Sequence, residues 1–282
     1  MTAAGRDRLV ALGDSITVGV GDTVGPDAAH GPGWAAHLAA VLGVDTFTNL
    51  ATNGARSRDV ADVQLSAALA LRPGLATLLV GGNDVLRSDF DARLTLLDLR
   101  RCVDELRRAG ADVVLVRLPV IGLFELAPRL VRRVMRRRVA AINAAVDRVA
   151  EEVAGRVVVV DAAAAIAPAG ARAWHVDRVH PSPAGHRRLA LAVGAALAAL
   201  DAGYAPDGVL PAAPDPPGPG QRLTWLVRAG LPWCVRRGRD FLPGLLRAVV
   251  HDLRAERVLG PGATVASLAD SGLDPRRRIG RG

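Results

Sequence analysis

Apolar runs of strand length alternate along this chain with stretches of helical spacing, and that alternation leaves few folds open to it. The runs fall at 8–12, 44–50, 75–81, 112–118 and 156–161, and the helical patterns at 33–42, 58–71, 89–109, 127–153 and 183–201. Strands separated by helices imply βαβ units and a parallel sheet. Leu78-Leu79-Val80 and Val157-Val158-Val159-Val160 lack polar alternation. Such strands are buried on both faces. The expected fold is α/β: a flavodoxin-like three-layer α/β/α sandwich around a five-stranded parallel sheet.

The pattern stops at Asp201. Pro206, Pro211, Pro214, Pro216, Pro217 and Pro219 follow within a short stretch, too dense for regular structure. The expected organisation is an α/β domain at 1–203, a Pro-rich linker at 204–220, a helical basic and aromatic extension at 221–259, and a disordered tail at 260–282. In the extension Trp225, Trp233 and Phe241 sit among Arg222, Arg228, Arg236, Arg237 and Arg239. That composition suits a membrane interface and equally suits a helical arm packed on the domain or on a second subunit.

The formal net charge is +8, and arginine carries all of the basic charge because the sequence contains no lysine. Charge alone would admit a nucleic-acid partner. Aromatic residues are only 3% of the chain, too few for base-stacking platforms, so no nucleic-acid partner is expected. Cys102 and Cys234 are too few for a disulfide framework, and no Cys/His spacing suits zinc. The first residues carry charges of both signs and no apolar run approaches the length of a membrane span. A cytoplasmic location is expected, with peripheral contact to the inner membrane face through 221–250 as the exception.

Four segments follow strand ends and therefore meet at the carboxyl edge of the sheet, where open α/β sheets bind ligands. They are Gly13-Asp14-Ser15-Ile16-Thr17, Asn53-Gly54, Gly81-Gly82-Asn83-Asp84 and Asp177-Arg178-Val179-His180. Acyl transfer needs a nucleophile, a base, an orienting acid and donors for an oxyanion. Ser15 suits the first role, His180 the second and Asp177 the third. The amides of Ser15 and Gly54, with the Asn83 side chain, suit the oxyanion hole. Asp14 is expected to brace its loop, Asp84 to be structural, and His186 to be structural in the last helix. Asp22 and Thr23 read either as bordering the entrance or as ordinary polar loop residues, and His37 carries no role. Trp34, Ile121, Phe124 and His175 are the candidate pocket walls; Trp34 reads alternatively as a packing residue opening its helix, and His175 as a solvent-facing loop residue. Residues 119–138, with Arg129, Arg132, Arg133, Arg136, Arg137 and Arg138, read either as a lid or as a loop followed by a solvated helix face.

These segments resemble the GDSL esterases, or SGNH hydrolases. Gly13-Asp14-Ser15-Ile16 resembles the first block of that family, with Ile16 in place of leucine. Gly54 resembles the second-block glycine, Gly81-Gly82-Asn83-Asp84 the third block, and Asp177 to His180, followed by Pro181, the fifth. The resemblance spans about residues 8–200. It implies a serine esterase that forms an acyl-enzyme on Ser15 and hydrolyses or transfers the acyl group of a small-molecule or lipid ester, without a metal or organic cofactor. Two rivals are a metal-dependent phosphoesterase using Asp14, Asp84, Asn83 and His180, and a membrane- or partner-binding adaptor with a vestigial site.

Overall fold

The computed structural model describes residues 7–23, 30–122, 127–153 and 155–225, with isolated positions between 227 and 257. Phe124, Cys234, most of the expected 221–259 extension and the whole 260–282 segment lie outside the described residues. Five parallel strands are present: β1 (Arg8–Gly13), β2 (Thr46–Asn49), β3 (Leu75–Leu79), β4 (Asp112–Arg117) and β5 (Val157–Asp161). Their order is β2-β1-β3-β4-β5, the flavodoxin-like arrangement, with its switch point between β1 and β3.

The main helices are α1 (Ser15–Val18), α2 (Gly33–Leu42), α3 (Ser57–Asp59), α4 (Leu65–Ala70), α5 (Ala92–Arg108), α6 (Arg129–Glu152), α7 (Ala162–Ile166), α8 (Pro183–Leu200) and α9 (Pro219–Trp225). A π-helical turn, Val60–Gln64, joins α3 to α4. The single helix expected at 58–71 is therefore three pieces. A π turn holds one extra residue per turn, and apolar spacing does not reveal it.

Alternate residues of each strand feed two cores. Leu9 and Ala11 pack with Trp34, Leu38, Leu189 and Val193 on one sheet face. Val10 and Leu12 pack with Val60, Leu65, Leu99 and Val103 on the other. Each face is sealed by helices, which is why the strands carry apolar residues at successive positions.

No helix or strand forms between Asp201 and Gly218, as proline density dictates. The first part of this stretch nevertheless lies on the domain. Tyr204 is buried and its hydroxyl donates to Asp112 Oδ2 at 2.6 Å. The Gly208 amide donates to the Val41 carbonyl at 3.0 Å, and Arg187 Nε donates to the Pro211 carbonyl at 3.0 Å. Among the described residues, no helix is long and apolar enough to cross a membrane.

Candidate active site

β1 ends in Gly13, and its conformation aims Ser15 at the sheet edge. Gly13 has φ +152°, and a Cβ there would lie 2.3 Å from the Leu79 carbonyl oxygen. Only glycine lets β1 pass so close to β3 at this point. Asp14 Oδ1 then accepts from the Ile16 amide at 3.1 Å and caps α1. The turn leaves Ser15 part-exposed at the start of that helix.

Ser15 Oγ lies 2.9 Å from His180 Nε2, and His180 Nδ1 lies 2.8 Å from Asp177 Oδ2. With Nδ1–H donating to the Asp177 carboxylate, Nε2 is left to accept from the serine hydroxyl. Asp177 Oδ1 accepts from the amides of Val179 (2.8 Å) and His180 (3.0 Å), which fixes the loop between the two residues. Burial opposes ionisation of Asp177, but the imidazoles of His175 and His180 outweigh it and hold this carboxyl well below the usual carboxylate range. His175 Nδ1 sits 3.3 Å from the same Oδ2. His175 therefore abuts the aspartate and is not among the residues that line the cavity beside Ser15.

That cavity has a volume of about 50 Å³. Asp14, Ser15, Gly82, Asn83 and His180 form its polar side, and Ile16, Val85, Leu118, Pro119, Ile121 and Val139 lie among its apolar walls. Ile121 thus lies on the cavity wall, and Trp34 does not. The Trp34 side chain is wholly buried in the core between α2 and α8, where its indole donates to Thr17 Oγ1 at 3.3 Å. Asp22 does not border an entrance either. It is buried, accepts from Gly33 N at 2.9 Å, and pairs with His37 Nε2 at 2.8 Å and Arg187 at 3.3 Å.

Of the oxyanion donors expected from the sequence, Gly54 has φ +82° and part-exposed backbone. Among the described residues, neither its amide nor that of Ser15 is taken by a protein acceptor. Asn83 Nδ2 donates one hydrogen to the Ala55 carbonyl at 3.1 Å, which leaves its second hydrogen for another acceptor. Gly54 does not itself line the cavity.

Several side chains that no motif announced hold this edge together. The Gln64 amide accepts from Gly13 N at 2.8 Å and donates to Gly13 O at 3.0 Å. The Asn143 amide pairs in the same two-bond manner with Leu118, at 2.8 and 3.0 Å. Arg138 is not part of a solvated helix face. It is fully buried, donates to the carbonyls of Val85 (3.1 Å) and Arg87 (2.7 Å), and lies 5.0 Å from the centre of the Phe90 ring. It braces the loop that carries Asn83. His186 accepts from Trp34 N through Nδ1 and donates to the Val20 carbonyl through Nε2, both at 3.1 Å. Full burial pushes its pKa down to about 4, so it packs as the neutral ring. Asp14, also buried, is pushed up to about 7. Among the described residues, no three His, Cys, Asp or Glu side chains converge as a metal donor set.

The fold is a flavodoxin-like α/β/α sandwich with a Ser-His-Asp row at the carboxyl edge of its sheet. A profile of the GDSL-like Lipase/Acylhydrolase family matches residues 11–188; the chain belongs to this family and is a carboxylic ester hydrolase. Among solved structures, the acetylxylan esterase Axe2 from Geobacillus stearothermophilus is 27% identical, with a TM-score of 0.52 over 66% of this chain and 91% of that one. LAE5, an alpha/beta hydrolase enzyme from the metagenome of Lake Arreo in Spain, is 26% identical, with a TM-score of 0.54 over 69% of this chain and 96% of that one. TesA, at 24% identity and a TM-score of 0.53 over 68% and 99%, shares the fold. Catalytic mutants of Axe2 replace a serine, an aspartate and a histidine by alanine, the last two being three residues apart in that enzyme. No curated protein matches the sequence.

Proposed function

We propose that the enzyme cleaves carboxylic esters through an acyl-enzyme on Ser15. His180 takes the Ser15 proton as Oγ attacks the ester carbonyl, and returns it to the departing alcohol. Asp177 holds the imidazole in the productive tautomer and stabilises its cation. The amides of Ser15 and Gly54 and the free Asn83 hydrogen receive the oxyanion. Water then attacks the acyl-enzyme by the same route in reverse. The observation that carries this reading is the unbroken row from Ser15 Oγ through both nitrogens of His180 to Asp177, at 2.9 and 2.8 Å. The catalytic serine, aspartate and histidine mutants of Axe2 support it, because Asp177 and His180 have the same spacing of three.

The cavity favours a short acyl group. Among the described residues, the space beside Ser15 is about 50 Å³ and walled by Leu118, Ile121 and Val139, which supports a short acyl chain. A series of p-nitrophenyl esters tests this. We expect kcat/KM to be highest for acetate or propionate and to fall by octanoate. A steady rise with chain length would contradict it.

A further inference from the structure

Ser57 stands between two carboxyl groups. Its Oγ lies 3.0 Å from Asp84 Oδ1 and 2.9 Å from Asp98 Oδ2. A hydroxyl has one proton to donate, so it cannot serve two ionised carboxylates. One of the two aspartates must carry a proton and donate it to Ser57 Oγ, leaving the hydroxyl to donate to the other.

The surroundings decide which. Asp84 Oδ2 accepts from the Ser57 amide at 3.1 Å, and Arg56 Nε lies 3.6 Å from Asp84 Oδ1. Both favour an ionised Asp84 against the opposing effect of its deeper burial, and Asp98 has neither. Among the described residues, Asp98 has no hydrogen-bond partner but Ser57. The charges facing it are the carboxylates of Asp84 and Asp62, and the Arg101 guanidinium, which already bonds Asp62 and Glu105. We propose that Asp98 holds the shared proton and, through Ser57 and Asp84, acts as a positioning residue for the oxyanion side of the active site. Burial raises the pKa of both carboxyls, in keeping with a proton retained in the row.

The route to the chemistry is short. Ser57 is three residues beyond Gly54, and Asp84 follows Asn83 directly. Asn83 Nδ2 also donates to the Ala55 carbonyl. These bonds stitch the Gly54 loop to the Asn83 loop, so they set the separation of the two oxyanion donors. Without the proton, two like charges would face one hydroxyl and the stitch would loosen. The inference rests on the oxyanion assignment proposed above.

The test is steady-state hydrolysis of p-nitrophenyl acetate by the full chain, with melting temperatures taken in parallel. In Asp98→Asn the amide N–H donates to Ser57 Oγ as the protonated acid does, so kcat should stay near the wild-type value. Asp98→Ala, Ser57→Ala and Asp84→Asn should each lower kcat by about ten- to hundredfold with little change in KM, the scale expected when donors shift slightly. Equal loss in Asp98→Asn and Asp98→Ala would overturn the proposal, as would an unchanged kcat in Asp98→Ala. Carbon-13 spectra of the aspartate carboxyls give an independent answer if a variant folds poorly. At neutral pH, Asp98→Asn should remove a protonated carboxyl signal, and removal of an ionised one would overturn the assignment. Ser15→Ala separates the two levels. If it is inactive while Asp98→Ala is normal, only the positioning role falls; if it is active, the parent reading falls.

Discussion

Replacing Gln64 by leucine should damage both stability and turnover, and the size of the effect follows from the bonds lost. The Gln64 side chain is buried and closes two hydrogen bonds on Gly13, two residues before Ser15. Leucine keeps most of the volume and removes both. The Gly13 amide is then buried without an acceptor, which costs about 1–3 kcal/mol. The Gly13 carbonyl keeps a second partner in the Thr52 amide at 3.1 Å, so its loss is nearer the net value of about 0.5–1.5 kcal/mol for an ordinary hydrogen bond. The sum is about 1.5–4.5 kcal/mol, which for a domain of this size lowers the melting temperature by roughly 3–18 °C. Turnover should fall as well, because the strand end that presents Ser15 is no longer pinned. Urea denaturation and p-nitrophenyl acetate hydrolysis measure the two effects. A variant within about 0.5 kcal/mol of wild type, the range of ordinary surface changes, would refute the view that this amide clamps β1.

Two other substitutions probe different parts of the molecule. Asp14 has a folded pKa of about 7 against 3.8 unfolded, so the native state holds a proton that the unfolded state has lost, and stability falls as pH rises between those values. Asp14→Asn keeps an oxygen for the Ile16 amide and escapes that penalty, so its stability relative to wild type should increase from pH 4 to pH 8; a constant difference in denaturation free energy across that range would show that Asp14 is ionised throughout. Trp34→Ala should cost about 3–5 kcal/mol, as for other buried aromatic truncations, and leave the ratio of acetate to butyrate turnover unchanged. A changed ratio with little loss of stability would return Trp34 to the pocket.

Regular elements were legible where one local rule governs them. The helix expected at 33–42 is α2 with the same bounds, and the runs at 112–118 and 156–161 contain β4 and β5. Short elements such as α1 and α7 are too brief to show a period. The proposed reacting groups stood out because Ser15 and Asn83 follow strand ends and Asp177 and His180 sit in a recognisable block on the longer connection after β5. The groups that hold them did not. Gln64 meets Gly13 and Arg138 meets Val85 across more than fifty residues, and only the folded chain brings them together. Arg138 misleads in sequence because an arginine on a helix normally points to water. It is buried here because carbonyl acceptors replace the water it gives up. Trp34 and His37 share a short helix, and its spacing alone does not tell a core face from a cavity wall.

Ser15 is the group proposed to carry the acyl chain, and trapping that adduct is the most direct test of its role. The full chain, treated with a fluorophosphonate and digested, should yield a single modified peptide with the added mass on Ser15. Ser15→Ala should take up no label and should lose ester turnover by several orders of magnitude. His180→Ala should label far more slowly, since the hydroxyl then lacks its base. Label on another residue, or wild-type turnover in Ser15→Ala, would contradict the mechanism.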